Sequence, residues 1–252
     1  MDKEDLLLQK RIQELAERSY GQGVYTFTDF LSLPQLDLCL SMENQLRYAG
    51  MTLFGGTAEC DRKIIRFGNA EGLGYEEPFP IACLAIEPLA EKFAIELTHR
   101  DYLGALMNLG IQRENLGDIF VQGKKAWLFC LERIAPFIRK ELTQVGRNPV
   151  KISQVEVPKQ LLHREKKEVN ILASSARLDG IIAKQYHFSR SQSLELFRSK
   201  KIYVNGRLCE SSSYPLKEGD TVSIRGFGKF QFEGIAYETK KGKFSYRIGV
   251  YQ

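Results

Sequence analysis

The stretch "SRSQSLELFRSKKIYVNG", residues 189–206, carries the pattern that decides the fold. Ser189 followed three residues later by Gln192 is typical of a helix N-terminus, because each side chain can cap the other's backbone amide. Leu196 and Phe197 supply the packing side of a short helix, and "KIYVNG" alternates like a strand before an Asn-Gly turn. The stretch therefore predicts a helix that leads directly into a β-hairpin, with cations at both ends of the helix.

The flanking residues extend this unit in both directions. "ARLDGIIAKQY" predicts a preceding helix whose buried face carries Leu178, Ile181 and Ile182. Arg177 and Lys184 are seven positions apart, so a helix of 3.6 residues per turn places them on one exposed face. On the other side, "YPLKEGDTVSIRG" predicts a turn and a further strand. The unit is thus two helices on a small sheet.

A β-hairpin extension is predicted after residue 226, from "FGKFQFEGIAYETKKGKFSYRIGVYQ". Its alternating aromatic residues favour a packed core face. The tip allows two interpretations that the sequence leaves open, a second phosphate contact or a solvated turn, and its cations are Lys240, Lys241 and Lys243.

Arg190 stands in the first turn of its predicted helix, where a cation opposes the helix dipole. The unfavourable contribution is a few tenths of a kcal/mol to about 1 kcal/mol. A bound anion beside Arg190 would give the residue another reason to be there.

Charge is distributed unevenly along the 252 residues. The net charge is +5 overall, but it is −5 over residues 1–80, +3 over 81–169 and +7 over 170–252. A polyanionic partner is therefore expected mainly at the C-terminal third. With 43% hydrophobic residues the chain can also form well-buried cores.

Cysteine and histidine usage predicts neither a disulfide framework nor a metal site. No CxxC pair occurs and the histidines lack ligand spacing, so we expect reduced, buried thiols, a cytoplasmic protein and no cofactor. The charged N-terminus is unlike a signal peptide and the longest apolar stretch is too short for a bilayer, which predicts no membrane partner. The cysteines are Cys39, Cys60, Cys83, Cys130 and Cys209.

The middle of the chain predicts the element order ββαββαβ. "IACLAIEP" and "KFAIELT" are predicted strands, and Thr98 with Asp101 predicts the start of a helix. A hairpin with its tip at 122–124, a helix that begins or kinks at Pro136, and the strand "NPVKISQVEV" follow. This order predicts an RRM-like or ferredoxin-like sandwich with one extra strand.

The predicted fold class is α+β in three domains. Residues 1–76 form a small N-terminal α/β domain with helices over 3–19 and 34–48, and residues 77–157 form the RRM-like domain. The charged segment 158–172 is predicted as a linker, and residues 173–252 form the C-terminal domain with its hairpin.

The C-terminal residues resemble an S4 domain, an RNA-binding fold. The resemblance is carried by four spaced motifs, the RLD start, the SR-x-Q helix cap, V-x-VNG, and a GD before the last strand. S4 domains usually have glycine near the end of the second helix, where this chain has Lys200, which leaves the geometry of that helix end open.

The whole chain resembles the YlmH-type S4 proteins, which bacteria encode beside cell-division genes. The resemblance also rests on "FGGTAECDRKIIRFG" and "LTHRDYLGALMNLGIQRENLGDI". It implies an RNA-binding middle domain. It also implies an S4 domain that binds rRNA and tRNA on the ribosomal large subunit, in rescue or quality control of stalled translation.

The residues expected to contact RNA are mainly cations of the two S4 helices. Their charges can form one positive surface that fits the phosphates of folded RNA. The alternative is a solvated basic surface without a binding role. Ser191 and Gln192 are expected at sugar or base edges. The remaining candidates in this domain are Arg177, Lys184, Arg190, Arg198, Lys200, Lys201, Asn205 and Arg207.

The middle domain offers a second, weaker set of candidates. Lys124 and Lys125 at the predicted hairpin tip and Arg100 at a helix start are expected RNA contacts, and Arg113 is a further one. Trp127 fits either a stacking platform or a core strand face. His99 and Asp101 allow a catalytic interpretation, although helix capping is the simpler role.

The sequence shows no nucleophile–base pair and no phosphate-binding loop, which predicts a non-catalytic RNA-binding protein without a small-molecule substrate. We also expect a monomer. Two alternatives stay open: an RNA-modifying enzyme, similar to a pseudouridine synthase with an S4 targeting domain, and a cell-division-linked interaction protein.

Overall fold

A computed structural model describes residues 3–162, 166–239 and 242–251. The chain divides into two compact units, Met1–Leu162 and His163–Gln252. Both units combine helices with antiparallel sheets, which confirms the predicted α+β class.

The N-terminal part of the first unit is a helical layer on a small sheet of order β1-β3-β2. Helix α1 buries Ile12 and Leu15 in a cluster that includes Cys39 of α2 and Phe67 of β3. The predicted helices are confirmed, and "KIIRFG" contains strand β3. The elements are α1 (Lys3–Gln22), β1 (Thr26–Phe27), α2 (Leu33–Ser41), α3 (Glu43–Leu46), β2 (Met51–Phe54), β3 (Ile64–Phe67) and α4 (Ala70–Leu73).

The rest of the first unit has the ferredoxin-like order βαββαβ, with one short extra strand. Its antiparallel sheet has the order β5-β6-β4-β8-β7. The predicted hairpin tip is confirmed, and Pro136 stands in the first turn of its helix. The elements are β4 (Ile81–Pro88), α5 (His99–Asn108), β5 (Leu116–Gln122), β6 (Lys125–Leu131), α6 (Ala135–Glu141), β7 (Gln144–Val145), β8 (Asn148–Val155) and α7 (Lys159–Leu162).

The prediction of a strand at "KFAIELT" is wrong, because residues 94–98 form a loop. The alternating apolar residues Phe93 and Ile95 are 82% and 51% exposed, and only Leu97 is buried. The Asn148 side chain satisfies the backbone of Ile95 instead of a neighbouring strand. Its Oδ1 accepts from Ile95 N at 3.1 Å and its Nδ2 donates to Ile95 O at 2.8 Å.

Both faces of this sheet are covered. On one face Leu84, Leu128 and other residues pack with α5 and α6. On the other, Cys83 and Phe129 pack against N-terminal residues such as Phe30. In the RRM-like architecture this second face would be the open one, so the N-terminal elements here act as its cover.

Backbone atoms approach closely under this cover. Gly56 has φ of +108°, and a Cβ atom there would stand 2.3 Å from a Phe129 ring atom. Half-buried Arg62 adds hydrogen bonds across the same junction, from Nε to Leu116 O at 2.8 Å and from Nη2 to Phe30 O at 2.9 Å. Burial, aided by the nearby Arg113 charge, lowers the pKa of Arg62 to about 10.

The second unit packs two helices on an antiparallel sheet of order β11-β10-β12-β13-β14-β9. Leu178, Ile181 and Phe197 of the helices share a core with Val222 and Phe230 of the sheet. The predicted helices, turn and C-terminal hairpin are confirmed. The elements are β9 (Lys166–Ala173), α8 (Leu178–Gln185), α9 (Arg190–Arg198), β10 (Ile202–Val204), β11 (Arg207–Leu208), β12 (Thr221–Ile224), β13 (Gly228–Glu238) and β14 (Phe244–Tyr251).

The charged segment 158–172, predicted as a linker, contains most of strand β9. Val169 and Ile171 pack on the core, while charged neighbours along the same strand stay exposed or half-buried. Such charges are typical of an edge strand, which they protect from pairing with other chains. The three-domain boundaries stay a prediction.

The five cysteines are free and buried, as predicted. Burial raises the pKa of Cys39 and Cys130 to about 12 and that of Cys83 to about 11. Within the described ranges, no helix is long and apolar enough to cross a membrane. The same ranges contain no group of three metal-ligating side chains.

Candidate nucleic-acid interface

Helix α9 begins with the reciprocal cap that its sequence predicts. Ser189 Oγ accepts from Gln192 N at 3.2 Å, and Gln192 Oε1 accepts from Ser189 N at 2.8 Å. Ser191 Oγ lies 3.0 Å from Ser189 Oγ. Ser191 and Gln192 are both exposed, but the Gln192 carbonyl oxygen is occupied by the cap, so its amide nitrogen is the atom left to meet a ligand.

The end of α9 keeps the geometry that glycine usually provides, with a lysine in place. Lys200 has φ of +53°, in the left-handed region. Its N–H donates to Phe197 O and the N–H of Lys201 donates to Leu196 O, both at 3.0 Å, the two bonds of a Schellman motif. The departure from the S4 pattern therefore changes the residue and preserves the helix end.

Asn205 has a structural role, while its contact with RNA stays a prediction. The residue has φ of +52° in the hairpin turn. Its Nδ2 donates to Asp220 Oδ1 at 2.8 Å and its Oδ1 accepts from Thr221 N at 2.9 Å. Buried Asp220 also accepts from Lys217 N at 2.9 Å. The VNG motif, through Asn205, and the GD motif, through Asp220, therefore belong to one hydrogen-bond network.

Helices α8 and α9 of the second unit pack against each other and carry the predicted cations on or beside them. Ser193 Oγ of α9 donates to Asp179 O of α8 at 3.0 Å, which ties the helices together. Their apolar sides face the sheet, so the exposed cations occupy the remaining sides. We define the α8–α9 surface by Arg177, Lys184, Arg190, Arg198, Lys200 and Lys201.

Ion pairs inside the fold engage part of this surface. Arg177 grips Asp179 through two nitrogens, the shorter contact being 2.9 Å, and this hydrogen bonding raises the pKa of Arg177. Arg198 lies 4.0 Å from Glu195, and Lys200 lies 3.5 Å from Glu210. Exposed pairs of this kind contribute at most about 1 kcal/mol, so a phosphate can replace the carboxylate.

Arg190 and Lys201 are the most available cations of the α8–α9 surface. Neither forms an ion pair with any residue in the described ranges, and both are exposed. Arg207 is also exposed, on β11. Arg225, which sequence reasoning did not select, is exposed and is a neighbour of Lys201, since its N–H donates to Lys201 O at 2.9 Å. Its position at the end of a predicted strand was the available signal.

A concave site lies where α8 meets the C-terminal hairpin, with a volume of about 260 Å³. We call it the Lys243 pocket. It brings Lys243 to the same place as two predicted cations, while Lys240 and Lys241 lie outside the described residues. Its lining includes Ser174, Ser175, Arg177, Asp179, Lys184 and Lys243.

The middle-domain cations are held by contacts within the fold. Lys125 Nζ lies 2.9 Å from Glu87, which also pairs with Lys151 at 3.6 Å. Lys124 Nζ donates to Glu91 O at 3.0 Å. Exposed Arg100 lines a cavity of about 550 Å³ beside α5. Lys124 and Lys125 do not line this cavity, although Tyr102 of α5 donates to Lys124 O at 3.3 Å.

Other middle-domain candidates have structural roles. The Asp101 carboxylate accepts from Thr98 N and Oγ1, both at 2.7 Å, so it caps α5 and is not poised to assist His99. Arg113 Nη1 donates to Leu116 O at 2.7 Å, so part of its guanidinium is held inside the fold, and its contact with RNA stays a prediction. Trp127 packs against the covered face of the sheet.

Comparison with known proteins matches the chain to two domain families and to a relative that is named for its association with the ribosome. A family described as "Putative RNA-binding domain in YlmH" matches residues 75–159, and the S4 domain family matches residues 176–222. The chain is 31% identical over 218 residues to "Ribosome-associated protein quality control protein P2" of Bacillus subtilis strain 168, covering 86% of this chain and 84% of that protein.

Two further similarities are narrower. An "Uncharacterized RNA pseudouridine synthase" of Aquifex aeolicus is 36% identical over 50 residues, which covers 20% of this chain and 21% of that protein. The solved structure "Cell division protein ylmH from Streptococcus pneumoniae" has a TM-score of 0.47 and 18% identity, covering 62% of this chain and 93% of that chain.

Proposed function

Because the chain belongs to the YlmH family of S4-domain proteins, we propose that it is a non-catalytic RNA-binding protein of the ribosome. The α8–α9 surface is the observation that carries the proposal. It holds six exposed cations on or beside two packed helices, and Arg190 and Lys201 have no ion pair in the described part of the chain. The name of the Bacillus subtilis relative supports association with ribosomes.

The surface would recognise folded RNA by charge and shape. Arginine can grip a phosphate through two donors, and lysine adds a mobile point charge. Each phosphate contact releases condensed counterions, so the affinity should fall steeply with salt. Ser191, exposed at the start of α9, would reach a sugar or base edge.

The specific target that we propose is rRNA with tRNA on the large subunit, during rescue or quality control of stalled translation. In this role the protein acts in the cytoplasm as a monomer. The support is the name of the relative together with the net charge of +7 over residues 170–252.

An RNA-modifying enzyme is the second candidate, since the Aquifex aeolicus relative is named as a pseudouridine synthase. That similarity covers only 21% of the relative. The suggested catalytic carboxylate, Asp101, is committed to a helix cap. Incubation of the protein with ribosomal RNA, followed by mass spectrometry of the nucleosides, should show no new modification. Turnover would contradict the proposal.

Cosedimentation with purified ribosomal subunits tests the proposed function directly. We expect the protein to pellet with large subunits at 50 mM salt and to dissociate as salt rises. Crosslinking in the pellet should join the second unit to rRNA or tRNA. Equal binding to both subunits, or none, would contradict the proposed target.

A further inference from the structure

We propose that the Lys243 pocket binds a backbone phosphate of RNA and that the C-terminal hairpin thereby completes the RNA-binding site. This inference rests on the proposed function and extends it, because the S4 match ends at residue 222 while Lys243 comes from the hairpin beyond it.

Strand register brings Lys243 to the pocket. Strand β14 pairs with β9 so that Phe244 lies opposite Ala173. Lys243 and Ser174 each stand one residue beyond this pair, and both line the pocket. The hairpin thus delivers its cation to the segment that leads into α8.

The backbone at Lys243 is held in place. Lys243 N donates to Thr239 Oγ1 at 3.0 Å, and Thr239 Oγ1 donates to Lys243 O at 2.9 Å. Thr239 N also donates to Lys243 O, at 2.7 Å. These bonds close the end of the hairpin and limit the positions that the Lys243 side chain can take.

The charges in the pocket favour an anion. Among the described residues, Arg177, Lys184 and Lys243 line the pocket together with one carboxylate, Asp179, which already pairs with Arg177. Lys184 Nζ donates to Leu172 O, which holds its ammonium group beside the end of β9. The hydroxyl groups of two serines offer neutral donors beside these cations.

The size of the pocket fits one phosphate with part of its sugar. The volume is about 260 Å³, and a water molecule takes about 30 Å³ in the liquid. A continuing RNA chain can enter and leave because the lining cations are exposed. This openness favours a phosphodiester within a strand over a terminal phosphate.

A fluorescence anisotropy titration with a labelled RNA stem-loop tests the pocket. Lys243→Gln should weaken binding roughly three- to tenfold at 50 mM salt and reduce the slope of log affinity against log salt by about 0.7 to 0.9. Arg247→Gln is the control, since it removes one exposed cation of the adjacent strand β14, which lies outside the pocket and 3.6 Å from Glu168.

A second variant tests the pocket in the opposite direction. Asp179→Asn should strengthen binding, because it removes the only carboxylate among the described residues that line the pocket and releases Arg177. Asparagine can still accept the hydrogen bond that Asp179 takes from Gly180 N, so α8 keeps its start.

The outcomes separate this inference from the proposed function. If the wild type binds the stem-loop and Lys243→Gln matches Arg247→Gln, the pocket assignment is overturned and the proposed function stands. If the wild type binds no RNA, both are overturned. A comparison of 5′-phosphorylated and 5′-hydroxyl stem-loops should show equal affinity, and a preference for the phosphorylated form that Lys243→Gln abolishes would overturn the backbone assignment.

Discussion

At the scale of single residues, Lys200 combines a structural role with a charge. Its φ of +53° lies in the left-handed region, which is unfavourable for a residue with a Cβ atom by about 1 kcal/mol. The position also adds a cation to the α8–α9 surface. Backbone strain retained at a charged surface position fits a role in binding.

Lys200→Gly should therefore raise the free energy of unfolding by about 1 kcal/mol while weakening RNA binding. Urea denaturation measures the first effect and an RNA titration the second. Lys201→Gly is the control, since Lys201 is not among the residues with positive φ, and it should lower stability by about 0.5 to 1 kcal/mol. A less stable Lys200→Gly variant would contradict the strain argument.

Asp220 illustrates a residue whose motif is structural. Its buried carboxylate accepts from Asn205, Lys217 N and Tyr214 OH. Asp220→Ala should lower the free energy of unfolding by about 3 kcal/mol, because buried donors lose a charged partner. Exposed Glu218→Ala, in the same turn, should change it by less than about 0.5 kcal/mol. Equal effects in chemical denaturation would refute the network.

At the scale of elements, local patterns predicted helices and hairpins well. The cap of α9 and the Asn205-Gly206 turn depend on neighbours in sequence, so the chain alone reveals them. Strand β9 could not be predicted in this way, because "KKEV" acquires its strand role only by pairing with β14, about eighty positions later. The Lys243 pocket depends on the same long-range register.

The prediction of a strand at "KFAIELT" is wrong for a related reason. The alternation of Phe93, Ile95 and Leu97 is typical of a strand. Within the described ranges, however, no strand pairs with this segment. The side chain of Asn148 takes over the backbone bonds of Ile95. Such a contact leaves no periodic signal in the sequence.

The covered sheet face gives a prediction at this scale. Gly56→Ala should lower the free energy of unfolding by about 2 to 4 kcal/mol, because the new methyl group would meet the Phe129 ring at 2.3 Å. Gly123→Ala is the matched control, with φ of +58° and open space around it, and should cost about 1 kcal/mol. Thermal or urea unfolding distinguishes them, and equal costs would contradict the close packing.

At the scale of the whole molecule, one sheet face of the first unit is buried, whereas the cations of the second unit are exposed. The N-terminal elements cover the sheet face that an RRM-like domain would otherwise expose, so aromatic residues such as Trp127 serve the core. In the first unit, Arg100 and the 124–125 tip therefore stay the predicted RNA contacts. The second unit carries the main concentration of positive charge.

The cysteines yield a prediction for the whole chain. All five are buried, and the raised pKa values of Cys39, Cys83 and Cys130 keep their thiols protonated at neutral pH. Native protein at pH 8 should therefore react slowly with a thiol reagent, and protein unfolded in urea should release five equivalents. Rapid labelling of the native protein would contradict the packing.

The salt dependence of RNA binding tests the central claim most directly. Arg190→Gln with Lys201→Gln removes the two most available cations of the α8–α9 surface, and Arg139→Gln with Lys140→Gln removes two exposed cations of the first unit as a control. The first pair should weaken RNA binding and lower the slope of log affinity against log salt by about 1.4 to 1.8, without a change in melting temperature. An unchanged slope and affinity in the first pair, or equal losses in both pairs, would contradict the assignment of RNA binding to the α8–α9 surface.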